Sequence, residues 1–415
     1  MLFFSEKGHF SIYIGNMIFD EIVNSAYRPE EYPALTAFSA EWACTRPFLG
    51  LRVLVATPIF RNTITEYRAL MAGGAELYVG RASGGAGEAS MPCDEGVVKF
   101  LQENGIEVLT PQDVLEAEAN DEFIDIILDC AGQFSACHPH YGFVELTRSG
   151  VQFFEKCPLP VYVADSGIVK RIETTLGTGD GYFRALEQLG YSEGPAGFEG
   201  KKLVVFGSGK VGAGIALQGV SRGCSVSTVT QVRQVSPPNF IPSLESNSVD
   251  IVDCENTTAV VELLLNADFV VTATGVKNAL ARPALTEALL ETRAVLANMG
   301  VEDEFGEAVP ESRVLNQKAP LNFILEEPTH LKYIDASLAL HAALGERLLQ
   351  EAMGVIPQEA ACGMPRMLDV CEIPCAGSQN PPAELEQRIL VTTMQNGTIG
   401  PELCGMLGFS PDAEI

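Results

Sequence analysis

Three glycines carry the clearest chemical signal in the chain, because their spacing, G-x-G-x-x-G, suits a phosphate-binding turn. Gly207 permits a tight turn, Gly209 lets the backbone approach a pyrophosphate, and Gly212 lets a helix pack closely on a strand. An apolar run, Leu203–Phe206, precedes the motif, and a helical pattern follows it. The alternative is a glycine-rich turn that binds nothing. We predict a dinucleotide site formed by Gly207, Ser208, Gly209, Lys210, Val211 and Gly212.

The end of the next strand indicates which dinucleotide would bind. NAD sites usually place Asp or Glu there, where the carboxylate accepts a hydrogen bond from the ribose 2′-hydroxyl. This chain has Thr230 instead, followed closely by Arg233, and Arg222 is a further candidate. A hydroxyl and an arginine suit a 2′-phosphate, which a carboxylate would repel. The sequence therefore favours NADP, with NAD as the alternative if Arg233 is only a solvated loop residue.

Other polar residues that could carry catalysis follow strand-like runs. Asp129 and Cys130 follow one such run and Asp165 follows another. Ligands of open parallel sheets bind at the carboxyl ends of strands, so these loops are expected to line one pocket. Cys130 would be a nucleophile there if His138 or His140 activated it, and a small packing residue otherwise.

Two further residues, Lys170 and Glu173, are spaced i, i+3 on a predicted helix that begins after Asp165-Ser166. They form a surface ion pair in one interpretation. In the other, Lys170 donates to a substrate carbonyl or hydroxyl and Glu173 sets its charge.

The segment Cys137-His138-Pro139-His140 could be drawn as part of a zinc site. Adjacent Cys and His, with Pro between the two histidines, suit a single tetrahedral ion poorly, and the chain has no matching C-x-x-C pair. We predict no metal site.

Two series of alternating strand-like and helical stretches must position these residues, the pattern of parallel α/β folds. Strands are expected to start near 52, 75, 106, 124 and 159 in the first series, and near 203, 225, 269 and 294 in the second. The segment 191–200 is typical of a linker, and apolar periodicity predicts a helix over about 334–353. A length of 415 residues fits two or three domains.

The composition excludes several classes of protein. The chain has 27 Lys and Arg against 54 Asp and Glu, a net charge of −27, which disfavours binding to nucleic acid. No apolar run reaches the roughly 20 residues that span a bilayer, and the first residues do not resemble a signal peptide. The 11 cysteines have no regular spacing, as expected for reduced thiols. We expect a cytoplasmic enzyme with a small-molecule substrate and no nucleic-acid or membrane partner.

Several sequence blocks, taken in order, resemble the S-adenosylhomocysteine hydrolase family over roughly residues 45–350. The blocks are Ile127–Gly132, Val163–Gly177, Gly200–Gly212, Val271–Gly275, Ala297–Gly300, Leu321-Asn322 and His330. The resemblance implies an α/β fold with two Rossmann-like parallel-sheet domains, adenosylhomocysteinase-like in arrangement. Residues 1–195 would form a substrate domain, 196–332 an NAD(P)-binding domain, and 333–415 a return to the substrate domain.

The resemblance also implies a buried nicotinamide that transiently oxidises a sugar hydroxyl, and association into a dimer or tetramer. Asn298 and Asn322 match family residues near the nicotinamide end. Thr274 and Gly275 lie in the matching loop, and His330 matches a histidine at the hinge between domains.

The family's catalytic positions, however, are changed in this chain. Family histidines correspond to Pro58 and Val301, the second aspartate of its Asp-Asp-Gly-Gly motif to Cys130, and its sugar-binding lysine to Val169. Lys170 follows one position later, Asp129 keeps the first aspartate, Glu173 replaces an aspartate, and Glu145 lies in a Gly-x-x-Glu segment that resembles the ribose-binding loop. The family's Lys/Tyr tail is not recognisable. Loss of the acid, base and orienting groups together would disable hydration and elimination.

Three functions follow from these observations. The first is an NAD(P)-dependent oxidoreductase that acts on a small polar substrate between the two domains. Its proton-handling groups would be Lys170 and Glu173, and Asp129, Glu145 and Asp165 would be polar residues of the pocket. The second is a hydrolase or lyase of S-adenosylhomocysteine type with tightly held NAD. The third is a catalytically dead regulatory protein that binds a dinucleotide.

Overall fold

The computed structural model describes residues 19–81, 93–192, 197–233, 239–352, 354 and 378–409. They form two compact units. The first unit takes the described residues up to Lys170 and those of Asp335–Thr398, and the second takes Arg171–Ile334 and the described residues from Ile399 onward. No helix among these residues is both long enough and apolar enough to cross a membrane.

The first unit contains a seven-stranded sheet in which every pairing is parallel. Its strands are β1 Arg52–Val55, β2 Glu76–Gly80, β3 Glu107–Leu109, β4 Ile126–Asp129, β5 Gly142–Glu145, β6 Val161–Val163 and β12 Ser378–Gln379. The order β12-β6-β5-β4-β1-β2-β3 reverses direction between β1 and β4. The five predicted strands are confirmed, whereas β5, with only two apolar side chains, and β12, with two polar residues, were missed.

Helices of the first unit cover this sheet. They are α1 (19–26), α2 Pro33–Thr45, α3 Ile64–Ala72, α4 Glu95–Glu103, α5 Pro111–Glu118, α12 Ala383–Asn396 and most of α11, Leu331–Ala352. Asp94 caps α4 through the Gly96 and Val97 amides, and Thr110 forms a capping box with Asp113. The predicted helix after His330 is confirmed as α11, and α12 was not predicted.

The second unit contains a five-stranded parallel sheet in the order β11-β10-β7-β8-β9. Its strands are β7 Lys202–Phe206, β8 Ser225–Thr230, β9 Asp250–Asp253, β10 Phe269–Thr272 and β11 Val295–Asn298. This is the 3-2-1-4-5 order of dinucleotide-binding folds, with its switch point between β7 and β10. Both sheets confirm the predicted α/β class, and β9 is the strand that the sequence did not reveal.

The helices of the second unit are α6 Thr178–Gln188, α7 Lys210–Ser221, α8 Ile241–Ser246, α9 Thr257–Asn266, α10 Pro283–Glu291 and α13 Pro401–Gly405. A π-helical turn, Ile172–Gly177, runs directly into α6. Backbones approach closely here, since an added Cβ on Gly214 of α7 would collide with the Thr175 carbonyl. The buried Gln218 amide donates to the Leu176 carbonyl at 2.9 Å and so satisfies the widened turn.

This packing explains where the compact units divide. Residues 171–192 pack on α7 and therefore group with the second unit, whereas the predicted domain boundary lay at 195/196. The return to the first unit starts at Asp335, two residues beyond the predicted start at 333. The assignment of these units to substrate and cofactor stays a prediction.

A carboxylate on α11 caps the first turn of α2 from far along the chain. Asp335 accepts hydrogen bonds from the Ala34 amide at 2.9 Å and the Leu35 amide at 3.0 Å, and it is fully buried. Burial raises the pKa of Asp335 to about 7, although the two amides partly oppose that shift. The folded state therefore binds a proton more tightly than the unfolded chain does.

This pKa gives a pH-dependent contribution to stability. The contribution of Asp335 should be greatest below about pH 4, fall as pH rises to about 7, and then stay constant, a change on the order of 4 kcal/mol. Asp335→Asn should flatten this part of the stability profile, as measured by urea unfolding across that range. The exposed Glu103→Gln serves as the control, and an unchanged slope in Asp335→Asn would contradict the assignment.

Candidate functional site

The glycine turn of the second unit lies at the switch point of its sheet, between the carboxyl ends of β7 and β10. Gly207 has a φ of 105°, and a Cβ there would press on the Ala273 carbonyl. A Cβ on Gly212 would collide with the Gly207 carbonyl. Both glycines are therefore required for the turn itself, as the sequence predicted for a dinucleotide motif.

Gly209 has a different role from the other two glycines. A Cβ on Gly209 would meet no atom of the described residues within 4 Å, and the backbone there has an ordinary φ of −72°. Gly209 is itself the N-cap residue of α7, which begins at Lys210, and it has no side chain that could cap the helix. Open space beside a helix N-terminus with glycine at the N-cap suits a pyrophosphate, because the first amides of the helix point outward and the helix dipole favours anions. The turn thus fits the phosphates of a dinucleotide.

The hydroxyl of Thr230 contacts this turn from the end of β8. Its Oγ1 lies 2.8 Å from Ser208 Oγ, and Arg233 is exposed three residues later. A role for Arg233 toward a 2′-phosphate stays a prediction.

Arg222, by contrast, is not available to a dinucleotide. It donates to Asp180 at 2.8 Å and to Gln218, and its guanidinium lies 4.7 Å from the Phe183 ring centroid. It also caps the far end of α7, and twelve helical residues rise about 18 Å. The suggestion that Arg222 assists 2′-phosphate binding is therefore wrong.

The loop after β10 is held by a buried carboxylate that the sequence did not single out. Glu304 accepts from the Thr274 amide at 2.9 Å, the Thr274 hydroxyl at 2.8 Å and the Gly275 amide at 2.7 Å. These donors are consequently engaged within the protein. The sequence feature that could have indicated Glu304 is its position four residues after Gly300. A Cβ added to Gly300 would overlap the Glu304 carboxylate.

Asn298, predicted to lie near the nicotinamide, ends β11 with its amide fully engaged. Its Nδ2 donates to the carbonyls of Lys318 at 2.6 Å, Glu302 at 2.8 Å and Gly300 at 3.1 Å. Its Oδ1 accepts from the Gly300 amide and the Thr272 hydroxyl, both at 2.9 Å. Asn298 thus fixes the loop after β11, and contact with a cofactor stays a prediction.

The other two residues assigned to the cofactor lie in the segment that precedes α11. Asn322 is buried with its Cβ against Gly181, and its side chain makes no hydrogen bond within the described part of the chain. His330 is half-buried, and its carbonyl accepts from the Tyr333 amide in the first turn of α11. Neither placement tests a role toward a cofactor.

Apolar side chains are exposed after three strands of the same sheet. Val232, Val276 and Val301 follow β8, β10 and β11, and Val301 is 90% exposed. Val301, which the resemblance aligns with a family histidine, can neither donate nor accept a proton. The carboxyl edge of this sheet is thus more apolar than the resemblance implies.

In the first unit, the switch-point loop after β4 is held by two buried carboxylates. Asp129 accepts from the Cys130 amide at 2.8 Å and the Phe134 amide at 3.0 Å. Burial and the charge of Glu145 raise the pKa of Asp129 well above its ordinary value, while backbone donors lower it less. Asp129 and Glu145 end neighbouring strands and are register partners.

Glu145 binds the other side of the same loop. Its carboxylate accepts from the Ala131 and Gly132 amides at 2.9 Å, and from the Thr147 amide and hydroxyl at 2.7 and 2.6 Å. Ala131 and Gly132 both have positive φ, so these bonds hold a strained turn. The contacts give Asp129 and Glu145 a structural role, and a catalytic role for either stays a prediction.

Cys130 lies in that turn and is 5% exposed. His138 pairs with Glu118 at 2.9 Å and His140 pairs with Asp125 at 2.7 Å. Asp125 immediately precedes β4, whereas Cys130 follows it, so the histidines lie at the opposite edge of the sheet. Activation of Cys130 by His138 or His140 is therefore wrong, and Cys130 itself stays a candidate by position only.

Lys170 is nearly fully buried, with 3% of its surface exposed, at the start of the predicted helix. The Val169 amide just before it donates to Glu386 of α12 at 3.1 Å. Asp165 and Glu173 are half-buried, and Glu173 lies in the π-helical turn. Lysines are rarely so buried without a specific reason, which keeps Lys170 as the strongest candidate for proton handling.

A second buried ionisable pair was not predicted. His341 of α11 places Nδ1 2.9 Å from Glu66 and Nε2 3.1 Å from the Val144 carbonyl. A carbonyl only accepts, so Nε2 must carry hydrogen, and Nδ1 forms a hydrogen bond with the Glu66 carboxyl group. The sequence feature that could have indicated this pair is a histidine, His341, on the apolar face of α11.

The two sheets and the glycine turn define an α/β protein of two units, one of which has the strand order and turn of a dinucleotide-binding domain. No protein-family profile matches the chain. Adenosylhomocysteinase from Sulfolobus acidocaldarius is 26% identical in an alignment of 293 positions that covers 65% of this chain and 64% of the relative. The chain is thus similar to adenosylhomocysteinase, the family that its sequence blocks resemble, and it spans less than two thirds of that relative's length.

Solved structures resemble the chain more weakly. A dipicolinate synthase from Bacillus halodurans is 11% identical with a TM-score of 0.44, covering 72% of this chain and 98% of its own. A transhydrogenase from Sinorhizobium meliloti is 16% identical with a TM-score of 0.41, covering 72% and 96% respectively.

The glycine turn yields a prediction that separates folding from binding. Gly209→Val should leave the unfolding temperature nearly unchanged but weaken binding of NADH or NADPH about tenfold or more, because its side chain fills the phosphate space. Gly207→Ala should lower the unfolding temperature, because of its φ and the Ala273 contact. Calorimetric titration and thermal unfolding measure the two effects. Normal binding by Gly209→Val would contradict the assignment.

The loop after β4 yields a prediction about stability. Glu145→Gln should lower the free energy of unfolding by about 2–3 kcal/mol, since an amide NH2 would face a backbone donor in a buried site. Urea denaturation measures the change, with the exposed Glu155→Gln as the control. Equal stability of the two variants would show that Glu145 does not hold the loop.

Proposed function

We propose that the protein is an NAD(P)-dependent oxidoreductase that acts on a small polar substrate. The second unit would bind the dinucleotide, and the substrate would bind at the carboxyl edge of the sheet in the first unit. The observation that carries the proposal is the glycine turn, where Gly207 and Gly212 are needed by the fold while Gly209, the N-cap residue of α7, faces open space.

The first unit is unsuited to binding a dinucleotide in the same way. Pro58 follows its first strand in place of a glycine turn and has no N–H to offer an anion. The amides of Ala131 and Gly132, at the other side of the switch point, are taken by Glu145. These features support the proposal that the second unit binds the dinucleotide and the first unit binds the substrate.

The residues support hydride transfer better than hydration and elimination. A bound nicotinamide supplies the hydride chemistry, so the chain needs only to orient a substrate and to move one proton. Lys170 would donate that proton to, or accept it from, a substrate oxygen. The family's two histidines are Pro58 and Val301 here, and neither side chain carries protons.

A second candidate function is supported by the match to adenosylhomocysteinase. It is a hydrolase or lyase of S-adenosylhomocysteine type that holds NAD tightly and returns each hydride to its substrate. The dimer or tetramer and the cytoplasmic location implied by the sequence remain predictions under both functions.

One experiment separates the candidates. The protein is purified without added cofactor and denatured, and released dinucleotide is identified by mass spectrometry. The native protein is then assayed with NADH and NADPH against a panel of small carbonyl and hydroxyl compounds, and separately with S-adenosylhomocysteine. Net oxidation of reduced nicotinamide supports the oxidoreductase. Cleavage of S-adenosylhomocysteine with no net redox change supports the second function, and binding with no turnover supports a catalytically dead protein.

The role proposed for Lys170 is tested in the assay that shows activity of the native protein. Lys170→Met should lower kcat by about 100-fold or more and leave dinucleotide affinity unchanged, because it removes the proton carrier. The exposed Lys156→Met is the matched control. Full activity of Lys170→Met, with a native unfolding temperature, would exclude Lys170 from the reaction.

A further inference from the structure

The carboxyl end of β9 offers a carboxylate that the end of β8 lacks. Thr230 and Asp253 are the last residues of neighbouring parallel strands and are register partners. The ladder remains paired to its end, since the Cys254 amide donates to the Thr230 carbonyl at 2.9 Å. Register partners lie about 4.8 Å apart across parallel strands, and their side chains leave the same face of the sheet. Asp253 is therefore beside the position that usually selects between NAD and NADP.

The Asp253 carboxylate can accept a further hydrogen bond. Its Oδ1 accepts from the Glu255 amide at 3.1 Å, and Oδ2 has no hydrogen bond to any residue that the structure describes. Asp253 is half-buried. The turn after it is fixed from another side, because Arg282 donates to the Cys254 carbonyl at 2.8 Å. Asp253 is thus oriented by the Glu255 amide, and its Oδ2 can accept a hydrogen bond from a ligand.

Three arginines could neutralise the charge of Asp253, and they differ in where they lie and what they bind. Arg222 is engaged with Asp180, far from this end of the sheet. Arg282 is engaged with the Cys254 carbonyl, and Arg233 lies exposed on the loop beyond β8. Thr230 shares its hydroxyl with Ser208 and carries no charge. The residue paired with Thr230 on the neighbouring strand therefore carries a negative charge.

We propose that Asp253 replaces the carboxylate missing from the end of β8 and makes this site selective for NAD(H) over NADP(H). The proposal rests on the proposed dinucleotide site. A ribose 2′-hydroxyl would donate to Asp253, whereas a 2′-phosphate would be repelled by it. This assignment opposes the preference for NADP drawn from Thr230 and Arg233.

The test is a comparison of NADH and NADPH binding to the full chain, freed of any resident dinucleotide, by calorimetric titration. The native protein should bind NADH more tightly. Asp253→Asn should reduce the ratio of the two affinities about tenfold or more, mainly through tighter binding of NADPH. Glu255→Gln removes the same charge two residues away, on an exposed side chain, and should leave the ratio unchanged.

The possible failures are distinguishable. A native preference for NADPH, an unchanged ratio in Asp253→Asn, or an equal change in Glu255→Gln would each overturn the role of Asp253 while leaving the dinucleotide site intact. Absence of binding by a natively folded protein to either dinucleotide would overturn the proposed function, and the inference with it. Thermal unfolding of each variant checks that the fold is retained.

Discussion

The second unit depends on the absence of side chains where backbones meet. Gly207, Gly212 and Gly214 each place a backbone where an added Cβ would overlap a carbonyl group of Ala273, Gly207 or Thr175. These approaches bring α7 against both the glycine turn and the π-helical turn, and they direct the helix N-terminus toward the switch point. The one glycine of the motif that touches nothing, Gly209, is the one that a ligand would approach. Packing and binding thus have separate residues within a single motif.

The first unit stabilises its switch-point loop by a different physical means. Here two buried carboxylates, Asp129 and Glu145, accept hydrogen bonds from the amides of Cys130, Ala131, Gly132 and Phe134, which are therefore not available to an anion. Two sheets with related strand order therefore present opposite chemistry at corresponding edges. The glycine turn of the second unit offers amide donors, whereas in the loop after β4 the amides donate to Asp129 and Glu145.

Buried carboxylates have this function elsewhere in the chain. Asp335 caps α2, and Glu304 holds the loop after β10. Several of the 54 Asp and Glu residues thus bind backbone amides inside the fold. A carboxylate accepts several such bonds at once, and so it can fix an irregular loop with one side chain. Acidic residues that resemble catalytic groups in the sequence can be structural for the same reason.

The sequence by itself determined the α/β class, nine of the twelve strands that the structure describes, the glycine turn and the relationship to adenosylhomocysteinase. These features depend on local spacing and apolar runs, which the order of residues records directly. The strands β5, β9 and β12 were missed, because β5 and β9 each contain only two apolar side chains and β12 consists of two polar residues. Only the tertiary structure showed that Arg222 is bound to Asp180, that Cys130 lies at the opposite edge from His138 and His140, and that Asp253 lies beside Thr230. Those relations join residues distant along the chain, and strand order and register decide them.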